Sequence, residues 1–295
     1  MNPKIKGQIF TLTAIVTFAA QDGLSKYLAT HYPPIFITMI RFWAFAAFAI
    51  IVGMRSSGGL RAAIASKRPW LQTLRGVLLV SEIVVFVFAL SKVGMAITQS
   101  IFQAAPLLIT ALSVPILGEK VGWRRWSAVI AGLLGVLLII NPAEGHLSVS
   151  LLLPVSTAIM FAVYGIATRA VSSYDSPTTS LFYTGVMGAA AITLIGPFYW
   201  TPIAASDLPY LIALCCSGML SHYMLIRAYA ILPASEVQPL SYLQLVFEAV
   251  MAVVLFGEIL TWNMIAGATI VVVAGLFTIW RENVKGAPRV AIEPA

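Results

Sequence analysis

Apolar residues run through this chain in long blocks broken by short polar turns. Val93 to Gly118, Leu147 to Thr168 and Ile259 to Trp280 contain no charge apart from the motifs that bound them. A 22-residue helix rises about 33 Å, enough to cross roughly 30 Å of hydrocarbon. The blocks and their interruptions predict spans near 7–29, 35–54, 71–91, 95–117, 123–141, 148–171, 177–197, 208–229, 235–256 and 261–281. Tyr32-Pro33-Pro34, Asn141-Pro142 and Ser176-Pro177 mark short connections. Backbone groups in lipid must be bonded within their own helix, so these proline turns belong at the interfaces. The expected fold is an all-α polytopic membrane protein of ten transmembrane helices.

Composition agrees with that pattern. Of 295 residues 60% are hydrophobic and 10% are charged, with 18 basic and 11 acidic side chains, and the mean hydropathy is +0.93. Soluble domains carry about 25% charged residues, so this surface faces membrane lipid. The net charge of +7 would suit a nucleic-acid partner, but its placement argues for topology and for no nucleic acid. With the N-terminus inside, 15 basic residues fall on the cytoplasmic side, and Lys26, Arg41 and Lys92 on the outer side. That is positive-inside placement, in the inner membrane of a bacterial cell with both termini cytoplasmic. Lys4 and Lys6 before an apolar stretch imitate a signal peptide, but without a cleavage site an uncleaved first helix fits better. Cys215 and Cys216 are adjacent on a helix and suit neither a disulfide nor a metal site.

The chain repeats itself. Leu117-Gly118-Glu119 followed by Trp123 matches Phe256-Gly257-Glu258 followed by Trp262 at an offset of 139, which also pairs Gln99 with Gln238 and Gln103 with Tyr242. Phe18 and Lys26 pair with Phe161 and Arg169 at an offset of 143. A five-helix unit starts and ends on opposite sides of the membrane, so its duplicate must be inverted. The expected organisation is two inverted five-helix repeats, 1–144 and 145–283, and a short cytoplasmic tail, 284–295. Inverted repeats are a mark of secondary transporters.

The paired Gly-Glu motifs, Arg41-Phe42, the run from Ala96 to Pro106, and Pro233-Ala234-Ser235 to Gly257-Glu258 resemble the EamA-type branch of the drug/metabolite transporter superfamily over residues 7 to 281. The resemblance implies a ten-helix carrier that exports amino acids, other metabolites or drugs. Length and pattern are also similar to the YddG-type bacterial amino-acid exporters, which implies aromatic and other neutral amino acids as substrates.

Ionisable groups inside a span face a cavity or a partner by default. Glu82 lies near the middle of the third span, as a proton carrier or a structural hydrogen bond. Ser241, Gln244 and Glu248 share one face of the ninth span, as cavity wall or helix glue, and Gln99 and Gln103 form an i, i+4 pair on the fourth. His222 on the eighth span titrates near neutrality in its unperturbed form, and Tyr223 and Tyr242 offer hydroxyls and ring faces. Apart from Ser241, these eight residues are the candidates for substrate binding or coupling. Asp22, Lys26 and Arg41 read either as a salt-bridge cluster at the outer end, with the basic chains snorkelling, or as an outer gate. Trp43, Phe45 and Phe48 read as lipid-facing or packing aromatics. Small residues such as Ala128, Gly132 and Gly135 suit close helix packing.

No ATP-binding, zinc-protease or nucleophile-elbow motif occurs, so no catalytic residue, metal or cofactor is expected. A channel would need a continuous polar pore, and a membrane enzyme clustered nucleophiles or ligands. The expectation is a secondary transporter working by alternating access around a cavity between the first, third, fourth, sixth, eighth and ninth spans. It would hold an amino acid or similar small metabolite, with protons as a further candidate partner. The alternative is a carrier of drugs or other metabolites on the same fold.

Overall fold

The computed structural model describes residues 3–117, 121–141, 149–172, 174–229, 231–232 and 234–284. The Gly118-Glu119 motif and residues 285–295 of the expected tail lie outside these, as do the side chains of Arg169 and Gln238. Twelve α-helices occur among the described residues: α1 Pro3–Ala29, α2 Pro34–Arg55, α3 Gly59–Ile64, α4 Pro69–Lys92, α5 Met95–Phe102, α6 Ala105–Leu117, α7 Trp123–Ile140, α8 Leu152–Ser172, α9 Pro177–Thr193, α10 Leu208–Tyr229, α11 Ala234–Phe256 and α12 Trp262–Val284. Short 3-10 turns precede α8 and follow α9.

Proline sets several of the boundaries. Pro34, Pro69 and Pro177 each open a helix, where the missing N–H costs nothing. Ser176 adds a side-chain cap, accepting from the Thr179 amide at 3.1 Å.

Two expected spans are altered. The fourth is broken at 103–104 into α5 and α6. Pro106 follows the break and cannot donate to the Phe102 carbonyl, which explains why the helix does not run through. The seventh ends at Thr193, and Gly196-Pro197 turns into a 3-10 segment instead of extending the helix.

The molecule is an all-α polytopic membrane protein. On length and hydropathy alone, seven helical segments among the described residues can cross a membrane: Pro34–Arg55, Pro69–Lys92, Met95–Ile116, Trp123–Ile140, Val149–Thr168, Leu208–Leu225 and Trp262–Trp280. Three expected spans fall outside that set. α1 carries Asp22, Lys26 and two N-terminal lysines, α9 has 17 residues, and the apolar part of α11 is confined to Leu240–Phe256.

The most extensive pairings are α7 with α12, α1 with α10, α2 with α9, and α4 with α8 and α9. α7 and α12 touch backbone to backbone. A methyl group built on Gly135 would come within 2.8 Å of the Gly267 carbonyl, so no larger residue fits that crossing. The largest apolar cluster joins Phe36, Met39 and Phe42 of α2 to Leu79 and Val80 of α4, Ile192 of α9, and Leu211 and Leu214 of α10. This apolar packing surrounds α1, which touches α2, α4, α10 and α11 and carries the polar groups described next.

Candidate functional site

Asp22 of α1, Glu82 of α4 and Glu248 of α11 are 7%, 3% and 0% exposed, so three carboxyl groups lie inside the bundle. Gln244, one turn from Glu248 on α11, donates from Nε2 to Glu248 Oε1 at 2.8 Å and to Asp22 Oδ2 at 3.2 Å. Both carboxyls therefore accept from a single amide nitrogen. Arg41 of α2 interacts electrostatically with both Asp22 and Glu82. It lies seven residues into its helix, a depth of about 10 Å, rather than at the mouth. Its Nε approaches Gly218 of α10, beside the Gln21 side-chain oxygen.

A cavity between α2, α4 and α10 adjoins this cluster, lined by Arg41, Phe45, Ile83, Cys215, Met219 and His222. The His222 ring is held between Phe45, stacked at 5.3 Å, and Phe18, edge-on at 5.2 Å. Flat ring faces and one guanidinium thus share a wall.

On the facing side, the helix break presents Gln99 and Gln103 of α5, which packs on α11. Gln103 Nε2 donates to the Ser241 carbonyl at 3.4 Å. Gln99 Oε1, Thr98 Oγ1, Gln21 Oε1, Glu248 Oε2 and the Tyr242 hydroxyl are buried without a hydrogen-bond partner among the described residues. Buried polar atoms are nearly always partnered, and four of these, all but the Tyr242 hydroxyl, mark a region on α1, α5 and α11 built for something polar. Irregular backbone within a span is tolerated where it is buried in protein or lines a cavity.

The eight substrate or coupling candidates divide. Glu82, Gln99, Gln103, His222, Gln244 and Glu248 sit on the inner faces of their helices. Tyr242 is buried but turned to α12, its hydroxyl against Gly275. Tyr223 is 42% exposed and accepts from Arg227 at 3.2 Å; it follows His222 by one residue, about 100° around the helix, and so points away from the cluster.

The three expected gate residues do not form one cluster. Asp22 turns to α11, Arg41 to Asp22 and Glu82, and Lys26 pairs with Glu258, beyond the end of α11. Asp22 and Lys26 are one turn apart, so they lie at different depths and meet different neighbours.

Glu258 shows what the second Gly-Glu motif does. Gly257 takes φ +63°, a left-handed conformation that ends α11 and turns the chain back. The Glu258 carboxylate then accepts from the Met95 and Ala96 amides, at 2.6 and 2.9 Å, capping α5. Lys26 binds the same carboxylate and lies over the Phe256 ring at 4.2 Å. Burial alone would raise the Glu258 pKa, but Lys26 and the two amides outweigh it and hold the carboxyl below its ordinary value.

At the other end of α4, Arg75 is 2% exposed, although in the sequence it reads as a cytoplasmic charge. It donates from Nε to Thr168 at 2.9 Å, from Nη2 to Tyr164 at 3.3 Å, and also binds Gln72. Gln72 donates onward to Asp175 at 2.8 Å, and Asp175 also accepts from Ser66 and the Lys67 amide. Partial burial opposes ionisation of Asp175, but these donors outweigh it and lower its pKa.

Sequence reasoning missed Arg75, Gln21, and the roles of Phe18 and Phe45 around His222. Arg75 carried a usable signal, since it falls six residues inside a helix opened by Pro69.

The EamA-like transporter family profile matches the chain twice, over residues 5–141 and 148–280. Among curated relatives, the S-adenosylmethionine uptake transporter of Rickettsia prowazekii (strain Madrid E) is 28% identical, covering 96% of this chain and 97% of its own length. The riboflavin transporter of Vibrio cholerae serotype O1 is 27% identical, covering 95% of each. The pseudopaline exporter CntI of Pseudomonas aeruginosa (strain UCBPP-PA14) is 24% identical, covering 91% and 94%. A solved crystal structure shares the fold with a TM-score of 0.66 at 19% identity, over 94% of this chain and 97% of its own. These relatives are named for varied metabolites, and they do not support the narrower likeness to amino-acid exporters. The chain belongs to the EamA-like transporter family, and it is a multi-pass membrane transporter of small solutes rather than an enzyme.

Proposed function

We propose that this protein is a secondary carrier for a metabolite that combines a positive charge with an aromatic or heteroaromatic ring, with S-adenosylmethionine as the first candidate. The observation that carries this reading is the charge inventory of the interior. Two buried carboxyls, Asp22 and Glu82, face the Arg41 guanidinium beside the ring faces of Phe45 and His222, and a third, Glu248, joins Asp22 through Gln244. The other buried guanidinium, Arg75, is engaged by Gln72, Thr168 and Tyr164 at the other end of α4. Desolvated charge needs opposite charge, so a cationic solute answers this interior. Neutral zwitterionic amino acids, the first expectation from sequence, bring equal charges of both signs and leave the excess unanswered. The alternative of other metabolites fits better, and the relatives' names favour it. Glu82, Gln99, Gln103 and His222 are assigned to the solute, with Arg41 setting the charge on Glu82.

The proposed frame is ten spans in two inverted halves, 1–144 and 145–283, with α1, α9 and α11 completing the seven apolar crossings. Both termini lie on the cytoplasmic side of the inner membrane. Two matches to one family profile support the duplication. Helix pairing supports the inversion: exchanging the halves converts the α1–α10 contact into the α8–α4 contact, and both are extensive. Helices α1 and α11 cross despite Asp22 and Glu248 because those residues face inward, and α9 crosses as a shorter helix of 17 residues.

Counterflow in liposomes containing the purified protein tests the reading. Labelled S-adenosylmethionine is expected to accumulate saturably against an unlabelled internal pool, while labelled phenylalanine stays at the level of empty liposomes. Accumulation of phenylalanine without S-adenosylmethionine would restore the amino-acid reading.

A further inference from the structure

Among the described residues, Asp22 and Glu248 are two buried acids that share one hydrogen-bond donor, Gln244. We infer that this pair, bridged by Gln244, is a proton site whose loading and release are linked to solute movement. The inference rests on the carrier reading above and assigns to coupling three residues that the solute contacts do not use.

Geometry requires a proton here. The two carboxyls accept from one and the same amide nitrogen, at 3.2 and 2.8 Å, and both are less than a tenth exposed. Two ionised carboxylates at that separation in a dry interior repel strongly, so one proton between them is the state that can be buried. Gln244 reads the same way. Its single amide nitrogen donates to both acids and leaves Glu248 an oxygen on which the proton can sit. Glu248 Oε2 is one of the unpartnered buried atoms, an open position for that proton.

The surroundings do not supply the missing charge. On α1, Lys26 is committed to Glu258 one turn away. On α2, Arg41 is shared between Asp22 and Glu82, and on α4 Glu82 adds negative charge. On α10, His222 is enclosed by two phenyl rings, and Cys215 faces Arg41. The segments of α5 and α12 packed on α11 contribute no acidic or basic side chain among the described residues. One cation therefore serves two of the three acids and does not reach Glu248, and the Asp22–Glu248 pair is the one that holds a proton.

The pair also joins the two halves of the chain, α1 from the first and α11 from the second. Any motion that separates α1 from α11 splits the shared hydrogen bond, and a carboxyl that reaches water then exchanges its proton with that side of the membrane. Proton occupancy and helix position are thus one variable.

Two measurements test this, one of which needs no knowledge of the solute. The infrared difference spectrum of the purified carrier between neutral and strongly alkaline solution is expected to show loss of a protonated carboxyl band. That band should be absent or shifted in both D22N and E248Q. If it is identical in wild type and both variants, the proton lies elsewhere and the inference is overturned. In liposomes, an imposed pH gradient is expected to change net S-adenosylmethionine flux several-fold in wild type and not in E248Q, with counterflow recorded alongside. A wild type that performs counterflow and ignores the pH gradient overturns the coupling. A wild type with no counterflow overturns the solute assignment, and the infrared result then decides the proton site by itself.

Discussion

Arg41→Met is expected to destabilise the protein by on the order of 3 kcal/mol. Arg41 is the cation that faces both Asp22 and Glu82, each almost fully buried. Removing one partner from a buried charged set leaves uncompensated charge, which costs far more than the interaction contributed on its own. The diagnostic is the double variant. Arg41→Met combined with Glu82→Gln removes a cation and an anion together, and most of the loss should be recovered. Thermal unfolding in detergent gives both values, and the difference between the double variant and the sum of the singles measures the coupling. If Arg41→Met melts with wild type, Arg41 is solvated and the charge inventory used above is wrong.

The second large effect is expected where α1, α5 and the end of α11 meet at Glu258. Glu258→Ala leaves Lys26 without its acid and two α5 amides without their acceptor, a loss of about 3 kcal/mol for charge-assisted bonds in a partly buried site. These bonds tie α1, α5 and the turn before α12 together. The ends of α1 and α5 that meet at Glu258 should therefore separate, and a cysteine placed at the partly buried Val93 should react faster with a water-soluble thiol reagent than in the parent. Unchanged labelling would show that other contacts hold the end closed. The pH dependence has a definite sign. Glu258 titrates below its ordinary 4.5 in the folded protein. Its stabilisation is complete above that ordinary value and is lost as pH falls through the lowered one. Glu258→Ala should narrow the stability gap to wild type only under acid.

Much of the frame was legible because lipid imposes it. Charge-free runs such as Leu152 to Thr168 admit little but a helix, and proline turns placed their ends. The break after Phe102 was not read, although Pro106 was visible, because proline within an apolar run does not say whether the helix bends or stops. Helices α1 and α11 are less apolar because they carry the buried polar groups of the site, whereas α9 is only short, at 17 residues.

In the site, residue types were legible and their partnerships were not. Asp22 and Lys26 look like one ion pair at i, i+4, yet each finds its partner more than 200 residues away in sequence, at Gln244 and Glu258. The repeated Gly-Glu word was plain, but its function depends on amides at Met95 and Ala96, which only the folded chain brings to it. Tyr223 failed for a simpler reason, since it neighbours His222 in sequence but faces outward.

The central claim is that the buried polar groups around Glu82 and Gln99 hold the solute. Equilibrium binding of labelled S-adenosylmethionine to the purified carrier, for wild type, Gln99→Ala and Glu82→Gln, tests it most directly. The account predicts that Kd rises roughly tenfold or more in each variant, since each loses a buried polar partner of the solute worth about 1.5 kcal/mol. Binding at wild-type affinity in both variants would contradict it and place the solute elsewhere in the bundle.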